Sequence, residues 1–509
     1  MNKEELLNNI NGYPLDKNQK EIATSNTKYL LVSAGAGSGK TLTIIGKIRY
    51  LIEIKKLKEE EIMCISFTNE ATNNLKSKLK QNYNYNIPCY TFHKLSLEIL
   101  KQEKYKIAKS DLLEYTIEEY FKGLIDNNNK KRTLKYLKIK HNNKNYIKKY
   151  EKIKEKELNN IKTTIKTFIN LLKSNDYNEK HIISFIKQEN NKQDKALLII
   201  ILYVYKTYIQ ELKSKKEIDF NDMISLATQK VKKENYNKNI KYIIIDEFQD
   251  TSRVRLNLIK EIINKTNANL LAVGDDFQSI YRFTGCDLTI FLNFTYFFKN
   301  SEILKIENTY RNSQELISIA GSFIMKNPYQ IKKNLKSNKH IKCPIEIIYY
   351  KNIANTFTKL IESIYTETKM SILVIGRNNN DVNVITNNSK FTLENDRIIY
   401  KDNPSIQITY LTVHRSKGLE ESNVIIINLS NKINGFPNQI INNKILKHVT
   451  CKDSVYPFDE ERRLFYVALT RTKNKVYLLV PNKNESVFVK EIKKNYKKQI
   501  KIIKDIKWI

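Results

Sequence analysis

The feature that most constrains the fold is a glycine-rich turn, Ala34-Gly-Ala-Gly-Ser-Gly-Lys40-Thr41, set between the apolar run Tyr29–Val32 and an amphipathic stretch beginning at Leu42. A strand, a turn of this kind and a helix let backbone N–H groups surround an anion at the positive end of the helix. Lys40 is then expected to neutralise the β- and γ-phosphates of a nucleotide, and the Thr41 hydroxyl to ligate Mg²⁺. The usual first glycine of this pattern is replaced by Ala34. The predicted phosphate-binding loop consists of Ala34, Gly35, Ala36, Gly37, Ser38, Gly39, Lys40 and Thr41.

The chain carries a large excess of positive charge. Its 509 residues include 88 lysines and arginines against 54 aspartates and glutamates, a formal net charge of +34. Such a field favours a polyanionic partner whose binding weakens as salt is added. Lysine, asparagine and isoleucine are all abundant, as expected of an AT-rich genome, so a solvated lysine coat is the competing explanation. Composition alone leaves both interpretations open.

The cysteines and the apolar runs indicate the cellular compartment in which the protein is expected. Cys64, Cys89, Cys286, Cys343 and Cys451 lie far apart without a C-x-x-C pair, which predicts neither a zinc site nor a disulfide framework. The N-terminus lacks the charged-then-apolar layout of a signal peptide, and the longest apolar run is too short to span a bilayer. We therefore expect a cytoplasmic protein with no membrane partner.

Apolar runs bounded by turn residues predict an α/β protein with two parallel sheets covered by helices. Inside the first set of runs, between Ile62–Phe67 and Tyr242–Ile245, residues 94–217 are lysine- and asparagine-rich with a helical pattern and few glycines or prolines, which indicates a helical insertion in the first α/β unit. The predicted strands are Ile62–Phe67, Tyr242–Ile245 and Leu270–Val273 in the first set, and Ile345–Tyr350, Ile372–Ile375, Ile406–Leu411, Val424–Leu429 and Val476–Val480 in the second.

A second chemical feature is the pair of acids that follows the run Tyr242–Ile245. Ligands of α/β sheets bind at the carboxyl ends of strands, where these acids are expected. Asp246 can hold Mg²⁺ through its water shell, and Glu247 can orient and deprotonate an attacking water. Because side chains alternate along a strand, the two acids need not face the same way. The alternative is that the two acids only cap the end of the strand and have no chemical role. This alternative is disfavoured in a chain that already has a predicted phosphate-binding loop.

Together with these motifs, the stretch Val273-Gly-Asp-Asp-Phe-Gln278-Ser-Ile-Tyr281 makes the chain resemble the UvrD/Rep-type helicases of superfamily 1. The resemblance covers nearly the whole chain. The blocks most similar to the helicase IV branch are Asp275–Asp287, Thr309–Arg311, Gly435–Pro437 and Glu460–Arg471. The resemblance implies a P-loop NTPase with two RecA-like lobes and a helical insertion in the first. The further signatures are Leu15–Gln19, Phe67–Asn69, Thr91–His93, Asp219–Asp222, Asn308–Arg311, Thr412–Glu420, Gly435–Pro437 and Glu460–Arg471.

The resemblance also implies a division of the chain. We expect the first lobe at 1–93 and 218–292, the helical insertion at 94–217 and the second lobe at 293–509. Larger relatives insert a whole helical subdomain in the second lobe, whereas only the short segment 378–411 is available for it here. That fourth subdomain is expected to be absent or vestigial.

For the nucleotide, the resemblance implies ATP with Mg²⁺. Gln19 would read the adenine edge, Tyr310 would stack on the base, and Gln278 would sense the γ-phosphate. Arg311 and Arg471 of the second lobe would act as arginine fingers that stabilise charge on the transferred phosphoryl group. With the phosphates on one lobe and the fingers on the other, hydrolysis would require the cleft to close. The ribose would be contacted by Glu420.

For a nucleic acid, the resemblance implies a path for single-stranded DNA lined by rings and hydrogen-bonding groups. Bases of any identity stack on rings, while lysines and backbone amides follow phosphates without reading sequence. Ordinary core packing is the alternative for the rings, above all for Phe67 and Phe92. His93 and His414 have no neighbour at metal-ligand spacing, so zinc is not predicted. The implied contacts are Phe67, Thr68, Asn69, Thr91, Phe92, His93, Tyr281, Phe283 and His414.

Three positions depart from the family pattern. Leu42 stands where many relatives have an arginine that stacks on adenine, which predicts looser base selectivity. Glu421 stands where an aromatic residue is frequent, and Thr284 where some relatives have arginine.

These features predict an ATP-dependent translocase or DNA helicase acting on single strands and single/double-strand junctions, in DNA repair, replication or recombination. The family implies 3′ to 5′ polarity. The alternative is a helicase-like ATPase that remodels a protein partner such as RNA polymerase, as some helicase IV relatives with a long N-terminal arm do. Gln19 follows closely on Met1, so no such arm is expected and no particular protein partner is predicted. A simple basic DNA-binding module would not need Asp246, Glu247 and Arg471.

Overall fold

The structure, a computed structural model, describes residues 2–101, 103, 105–122, 127–136, 155–234, 236, 238–440, 443–450 and 456–504. Among these residues, no helix combines the length and the apolar character needed to cross a membrane. Cys451 and parts of the predicted helical insertion lie outside the described residues.

The described part of the chain forms sixteen strands, which are numbered here in chain order. All eight predicted strands are among them, with ends that differ by up to three residues. The strands are β1 Tyr29–Ala34, β2 Ile62–Ser66, β3 Cys89–Thr91, β4 Lys106–Ile107, β5 Glu217–Ile218, β6 Tyr242–Ile245, β7 Asn269–Gly274, β8 Glu302–Ile306, β9 Ile345–Tyr350, β10 Ile372–Gly376, β11 Phe391–Glu394, β12 Arg397–Tyr400, β13 Ile408–Thr412, β14 Asn423–Ile426, β15 Val476–Pro481 and β16 Ile500–Ile503.

The first sheet is parallel, with the strand order β3-β2-β6-β7-β1-β8. Strand β1 lies between β7 and β8, so that Leu31 is in register with Ala272 and with Ile303. The predicted boundary of the first lobe at residue 292 is therefore too early, because β8 belongs to this sheet. Its sequence, Glu-Ile-Leu-Lys-Ile, carries two charges and is half exposed, as suits an edge strand, and it offers no continuous apolar run.

The second sheet has the order β11-β12-β13-β10-β14-β15-β9-β16. Its strands from β13 to β16 in this order are parallel, as predicted. The hairpin β11–β12 is antiparallel and extends the edge next to β13, which the sequence did not predict. This hairpin and the short helix Asn383–Thr386 occupy the segment 378–411, where larger relatives were expected to insert a subdomain.

Helices cover both faces of each sheet. Those around the first sheet are Lys3–Asn8, Lys17–Thr24, Lys40–Arg49, Asn69–Tyr83, Phe92–Leu100, Phe220–Lys233, Arg253–Thr266, Leu288–Leu292 and Phe294–Phe297. Those around the second sheet are Gln314–Ile324, Ile353–Thr368, Asn383–Thr386, Val413–Ser416, Asp459–Leu469 and Val487–Tyr496. A π-helical turn at Tyr50–Ile54 and single 3₁₀ turns at Glu59–Glu61, Phe248–Asp250, Asp276–Gln278, Arg282–Thr284, Asn379–Val382, Lys444–His448 and Lys497–Gln499 complete the described elements.

The helical insertion has its own apolar core. Its described helices are Leu112–Lys122, Asn127–Tyr136, Glu155–Ser174, Glu179–Gln188 and Lys192–Lys215. The predicted start at residue 94 falls inside the helix Phe92–Leu100, which packs into the core of the first sheet through Leu95.

A short segment of the second half also belongs to the core of the insertion. The 3₁₀ turn Lys444–His448 and Val449 bury apolar side chains against the insertion helices. Asn175 Nδ2 donates to the Val449 carbonyl over 2.7 Å, and the Glu189 carboxylate pairs with Lys447 Nζ at 2.7 Å. The insertion is thus tied to both halves of the chain.

Each sheet separates two apolar layers. Neighbouring residues of one strand enter opposite layers, as Leu31 and Val32 do in β1 and Ile347 and Ile348 do in β9. This alternation follows from the period of a strand, and the absence of polar faces is typical of buried parallel sheets.

The two halves meet at the carboxyl edge of the first sheet. Ala36 and Phe277, from loops that follow β1 and β7, lie in the core under the second sheet. The Phe277 ring packs edge-on against Tyr466, with ring centroids 5.3 Å apart. The loops that carry the predicted site are therefore held between the sheets.

Candidate functional site

The glycine-rich turn adopts the predicted arrangement between β1 and the helix Lys40–Arg49. Gly37 and Gly39 have φ of 68° and 78°, a left-handed backbone that favours glycine. A Cβ on Gly37 would lie 2.5 Å from the Arg311 Cβ, and one on Gly39 would lie 2.8 Å from Gln19 Nε2. The absence of a side chain at these two glycines therefore allows Arg311 and Gln19 to pack closely against the loop. Ala34 is the last residue of β1 and fully buried, so this position does not need glycine.

Both predicted acids follow β6, and their orientation depends on the backbone of Glu247. This residue has φ of 53°, a left-handed conformation that costs a non-glycine residue about 1 kcal/mol or more. The turn brings its carboxylate 2.7 Å from Lys40 Nζ, while its own N–H donates to Asp246 Oδ1 over 2.9 Å. The two carboxylates thus lie in one site although they are adjacent in sequence.

The pKa values of this cluster are set by burial and by close charges. Burial would lower the pKa of Lys40, but the carboxylates around it, led by Glu247, raise that pKa above its usual value. Burial raises the pKa of Asp246, and the charge of Glu247 adds to the effect. Burial also opposes ionisation of Glu247, yet Lys40 and Lys417 bring its pKa below its usual value. Lys40 is therefore an ammonium group and Glu247 a carboxylate.

A cavity of about 630 Å³ opens in front of the phosphate-binding loop. It brings together residues from both halves of the chain. Nine of its lining residues were not predicted as site residues: Asn11, Tyr13, Leu42, Ile45, Ala71, Lys78, Asp250, Lys417 and Gly418. Gln19, Ala34, Gly35, Ala36, Asp246 and Tyr310 do not line it. The predicted residues that line it are Gly37, Ser38, Gly39, Lys40, Thr41, Glu247, Gln278, Arg311, Glu420 and Arg471, together with Phe67, Thr68 and Tyr281 from the predicted DNA path.

The donor set of this cavity fits a nucleotide phosphate with Mg²⁺. In the described part of the chain, the hydroxyl of Ser38 and Oδ1 of Asp250 are buried without a hydrogen-bond partner. Thr41 offers a hydroxyl at the start of the helix. Asp246, which does not itself line the cavity, offers a half-buried carboxylate bonded to the N–H of Glu247. Hydroxyl and carboxylate oxygens are the ligands that Mg²⁺ prefers, and the loop supplies N–H groups for an anion.

The two predicted arginine fingers lie at the cavity. Arg471 is fully buried and donates through Nη2 to Gln278 Oε1 over 2.9 Å. Burial, and then the charge of Arg311, lower the pKa of Arg471 to about 9. Arg311 pairs through Nε with Glu420 Oε2 at 2.7 Å, and Lys473 contacts the same carboxylate at 2.9 Å. The structure thus places Glu420 against a finger.

The residues predicted to contact the base lie beside Gly39 of the phosphate-binding loop, outside the cavity lining. Gln19 is buried, donates through Nε2 to the Ser38 carbonyl over 3.0 Å, and accepts the N–H of Asp16 at Oε1 over 3.0 Å. Tyr310 is 62% exposed, and its hydroxyl donates to Asp16 Oδ2 over 3.0 Å. Burial and the neighbouring Asp16 raise the pKa of Tyr310 to about 12. Both side chains are anchored through Asp16, and Gln19 faces the phosphate-binding loop.

Lys417 is the main site residue that the sequence did not identify. Its Nζ lies 2.5 Å from Asp250 Oδ2, donates to the Gln278 carbonyl over 2.9 Å, and lies 4.8 Å from the centroid of the Tyr281 ring. It belongs to the stretch Thr412–Glu420, which the family resemblance had marked. Only the fold reveals that its side chain crosses from the second half of the chain to the loops of the first.

Four residues of the predicted DNA path form a row of rings beside Lys417. Phe67 stacks on Tyr281 with centroids 5.9 Å apart and an interplanar angle of 9°. Phe283 is 55% exposed and lies 6.2 Å from Tyr281 and 5.2 Å from His414. Burial and the charge of Arg377 lower the pKa of His414 to about 4, so its ring is neutral. We call Phe67, Tyr281, Phe283 and His414 the aromatic row.

The other predicted DNA contacts have different surroundings. Phe92 is buried in the core of the first sheet, so core packing describes it. Thr68 and Thr91 cap the helices that follow them by accepting backbone N–H groups, and Asn69 is an exposed first residue of its helix. His93 lies 5.0 Å from the ring of Phe220, apart from the aromatic row.

Comparison with known proteins identifies the family. The UvrD/REP helicase N-terminal domain matches residues 15–299. The chain belongs to the UvrD/REP helicase family. This helicase-family chain is 27% identical to DNA helicase IV of Escherichia coli strain K12 over 502 residues, which is 96% of the chain and 72% of the relative. The predicted resemblance and fold class are thus confirmed.

Other relatives of this UvrD/REP helicase chain are longer. It is 29% identical over 377 residues to the ATP-dependent DNA helicase Rep of Buchnera aphidicola subsp. Schizaphis graminum, covering 70% of the chain and 51% of the relative. It is 27% identical over 330 residues to the ATP-dependent DNA helicase PcrA of Staphylococcus epidermidis strain ATCC 12228, covering 63% of the chain and 41% of the relative. The chain therefore spans about half or less of these two relatives.

Proposed function

We propose that this chain is an ATP-dependent DNA helicase that couples hydrolysis in the cavity to movement along single-stranded DNA. The observation that carries the proposal is the bond from Arg471 to Gln278 across a cavity that also holds Lys40 and Glu247. Groups that bind phosphate and groups that stabilise transferred charge come from opposite halves of the chain, as a motor driven by cleft closure requires. The names of the Rep and PcrA relatives support the same activity.

The nucleotide chemistry is assigned to residues of both halves. The N–H groups of the loop would cradle the phosphates, and Lys40 would release Glu247 as it turns its charge to the β- and γ-phosphates. Thr41 and Asp246 would hold Mg²⁺, which supplies neutralising charge to the phosphate oxygens. Glu247 would then take the proton of the attacking water. Arg311 and Arg471 would stabilise the negative charge that develops on the transferred group.

The strand would lie along the aromatic row. Each base that stacks on a ring contributes about 1–3 kcal/mol without regard to its identity. The net charge of +34 also supports a polyanionic partner, and the aromatic row is the proposed site for it. Lys417 contacts Asp250 at the cavity and the Tyr281 ring of the row, so it offers a physical link between hydrolysis and strand contact.

The remaining details of the proposal are the substrate geometry, the polarity and the compartment. We place the activity at single/double-strand junctions, with 3′ to 5′ movement, in DNA repair, replication or recombination. Remodelling of a protein partner is less supported, because the relatives are named as DNA helicases and the aromatic row suits bases. The described cysteines are free thiols, which supports the reducing cytoplasm.

Strand displacement tests this proposal. A labelled strand annealed to a partner with either a 3′ or a 5′ single-stranded tail is incubated with the purified chain, ATP and Mg²⁺. We expect release from the 3′-tailed substrate, and none with the Glu247→Gln variant. Release from the 5′-tailed substrate alone would contradict the polarity. Failure on both, with ATP hydrolysis still stimulated by DNA, would restrict the activity to translocation.

A further inference from the structure

The segment Gln330–Lys336, between the helix Gln314–Ile324 and β9, contacts two loops of the nucleotide site without lining the cavity. We call it the brace. At one end, a Cβ built on Gly35 of the phosphate-binding loop would lie 2.5 Å from Leu335 Cδ2, so Leu335 packs directly on that glycine. At the other end, the brace contacts the loop Asp275–Ser279, which carries Gln278. One short segment thus supports both loops.

The contact with the second loop is a buried ionic cluster centred on Lys333. Its Nζ lies 2.5 Å from Asp275 Oδ1 and 2.7 Å from Asp276 Oδ1, and all three side chains are fully buried. The same ammonium lies 4.0 Å from the centroid of the Phe277 ring. Burial alone would lower the pKa of Lys333, but the two carboxylates raise it, so the lysine is charged. A charged group in a fully buried environment is stable only when oppositely charged partners are held next to it.

The second acid of the cluster is fixed by the brace itself. Asp276 Oδ2 accepts from Gln330 Nε2 over 2.6 Å and from the N–H of Ile331 over 2.9 Å. Arg463, on the helix Asp459–Leu469, donates to the Ser279 carbonyl over 2.7 Å. The loop is therefore held by the brace on one side and by a helix of the second half on the other.

The first acid connects Lys333 with the nucleotide site. Asp275 Oδ2 accepts from Gln278 Nε2 over 2.6 Å, which leaves Gln278 Oε1 to accept from Arg471 over 2.9 Å. An amide has one donating and one accepting end, so the position of the Asp275 carboxylate dictates which end faces the arginine. Asp275 Oδ1 accepts from Lys333 Nζ over 2.5 Å and from the N–H of Phe277 over 3.1 Å, so these two donors together set that position, and Lys333 is the one that a substitution can remove.

We infer that Lys333 is a positioning residue for ATP hydrolysis. It acts through Asp275 to hold the Gln278 amide with its oxygen facing Arg471. The inference rests on the proposed function of the cavity. Lys333 does not line the cavity, and its ion pairs are with Asp275 and Asp276, so its loss acts on the orientation of Gln278 and not on direct nucleotide contacts. Its effect therefore falls on turnover and leaves nucleotide affinity nearly unchanged.

The test compares Lys333→Met, Lys333→Arg and the matched control Lys332→Met, whose exposed lysine is the preceding residue of the brace. Steady-state ATP hydrolysis gives kcat and KM, and titration with a fluorescent ATP analogue gives nucleotide affinity. For Lys333→Met we expect kcat to fall about ten- to a hundredfold, as misplaced catalytic groups do, with affinity within about threefold of wild type. Lys333→Arg should recover part of the loss, and Lys332→Met should match wild type.

Lys333→Met also leaves two buried carboxylates without their cation, so folding needs its own control. The double variant Asp276→Asn with Lys333→Met removes one of those charges and keeps the change at Asp275. Thermal melting by circular dichroism identifies the folded variants, and hydrolysis is measured well below their midpoints. A folded variant with wild-type kcat, or one whose affinity falls in parallel with kcat, would overturn the inference. Failure of the proposed function would be visible separately, in the absence of DNA-stimulated hydrolysis by the wild-type protein.

Discussion

The nucleotide cavity and the aromatic row are adjacent surfaces built from opposite kinds of interaction. The cavity is organised by ion pairs and directed hydrogen bonds, such as Lys40 with Glu247 and Arg471 with Gln278. The row is organised by rings, one of which, Phe283, is more than half exposed. Charges fixed in a buried site accept one ligand geometry, whereas rings accept any base. The contrast indicates that the cavity selects for the geometry of the phosphate groups, whereas the adjacent row binds bases without selecting for sequence.

The two surfaces meet at Lys417 and at Phe67 and Tyr281, the two rings of the row that also line the cavity. Lys417 contacts Asp250 and the backbone of Gln278 on the cavity side and the Tyr281 ring on the other. Because the shared contacts are few, most substitutions should affect one surface and spare the other. The predictions below test this separation, from the largest expected effect to the smallest.

Removal of an arginine finger should have the largest effect on hydrolysis. In Arg311→Ala, we expect kcat for ATP to fall about 10³-fold or more, because the proposed role of this guanidinium is to stabilise charge that develops only in the transition state. Nucleotide affinity should change far less, and strand binding should be retained. Steady-state kinetics and filter binding measure these quantities, with the exposed Arg397→Ala as control. Weak nucleotide binding with normal turnover would contradict the assignment.

Removal of the proposed base should come next. Glu247→Gln keeps the shape of the side chain but cannot take a proton, so we expect kcat to fall about 10²- to 10⁴-fold. Affinity for single-stranded DNA should stay within about twofold of wild type, since the row does not contain this residue. The control is Glu394→Gln in β11, an exposed position. Parallel loss of strand binding and hydrolysis would contradict the separation of the two surfaces.

Loss of a ring should give the reverse pattern. Tyr281→Ala removes the ring that stacks on Phe67, and we expect affinity for an oligothymidine to fall about 5- to 150-fold, which corresponds to about 1–3 kcal/mol. Because Tyr281 also lines the cavity, hydrolysis without DNA should fall too, but by less than the DNA affinity does, and stimulation of hydrolysis should require a higher DNA concentration. Fluorescence anisotropy measures the binding. Tyr296→Ala, at an exposed tyrosine outside the row, is the matched control.

The smallest effect is expected at Tyr310, the ring predicted to stack on the base. Tyr310→Phe keeps the ring and removes only the hydrogen bond to Asp16, which is worth about 0.5–1.5 kcal/mol at most and less at this exposed site. We expect KM for ATP to change less than about threefold. Tyr310→Ala, which also removes the stacking surface, should raise KM more. Equal effects of the two substitutions would contradict stacking as the role of the ring.

The predicted site residues that the structure places near one another are those fixed by local pattern. The loop Ala34–Thr41 and the acids after β6 follow from apolar runs that end in characteristic turns, and Arg471 from an ordered family motif. Strand β8 was missed because an edge strand needs no apolar run. Lys333 and Lys417 were missed for another reason: their partners are 58 and 167 residues away in sequence, and only the fold brings them together.

The left-handed backbone at Glu247 was equally out of reach, since no local signal marks a strained residue that is held by its surroundings. The aromatic row could be predicted only in part from the sequence. The family motifs named its members, but the sequence could not distinguish Phe67, which stacks on Tyr281, from Phe92, which packs in the core.

The central claim is that ATP hydrolysis in the cavity is coupled to single-stranded DNA on the aromatic row. The most direct test is the steady-state rate of ATP hydrolysis by the wild-type chain with and without an oligothymidine, beside the Lys40→Ala variant. We predict a rate that rises with the DNA and is abolished in Lys40→Ala, although that variant still binds the strand. A rate that does not change when the strand is demonstrably bound would contradict the claim.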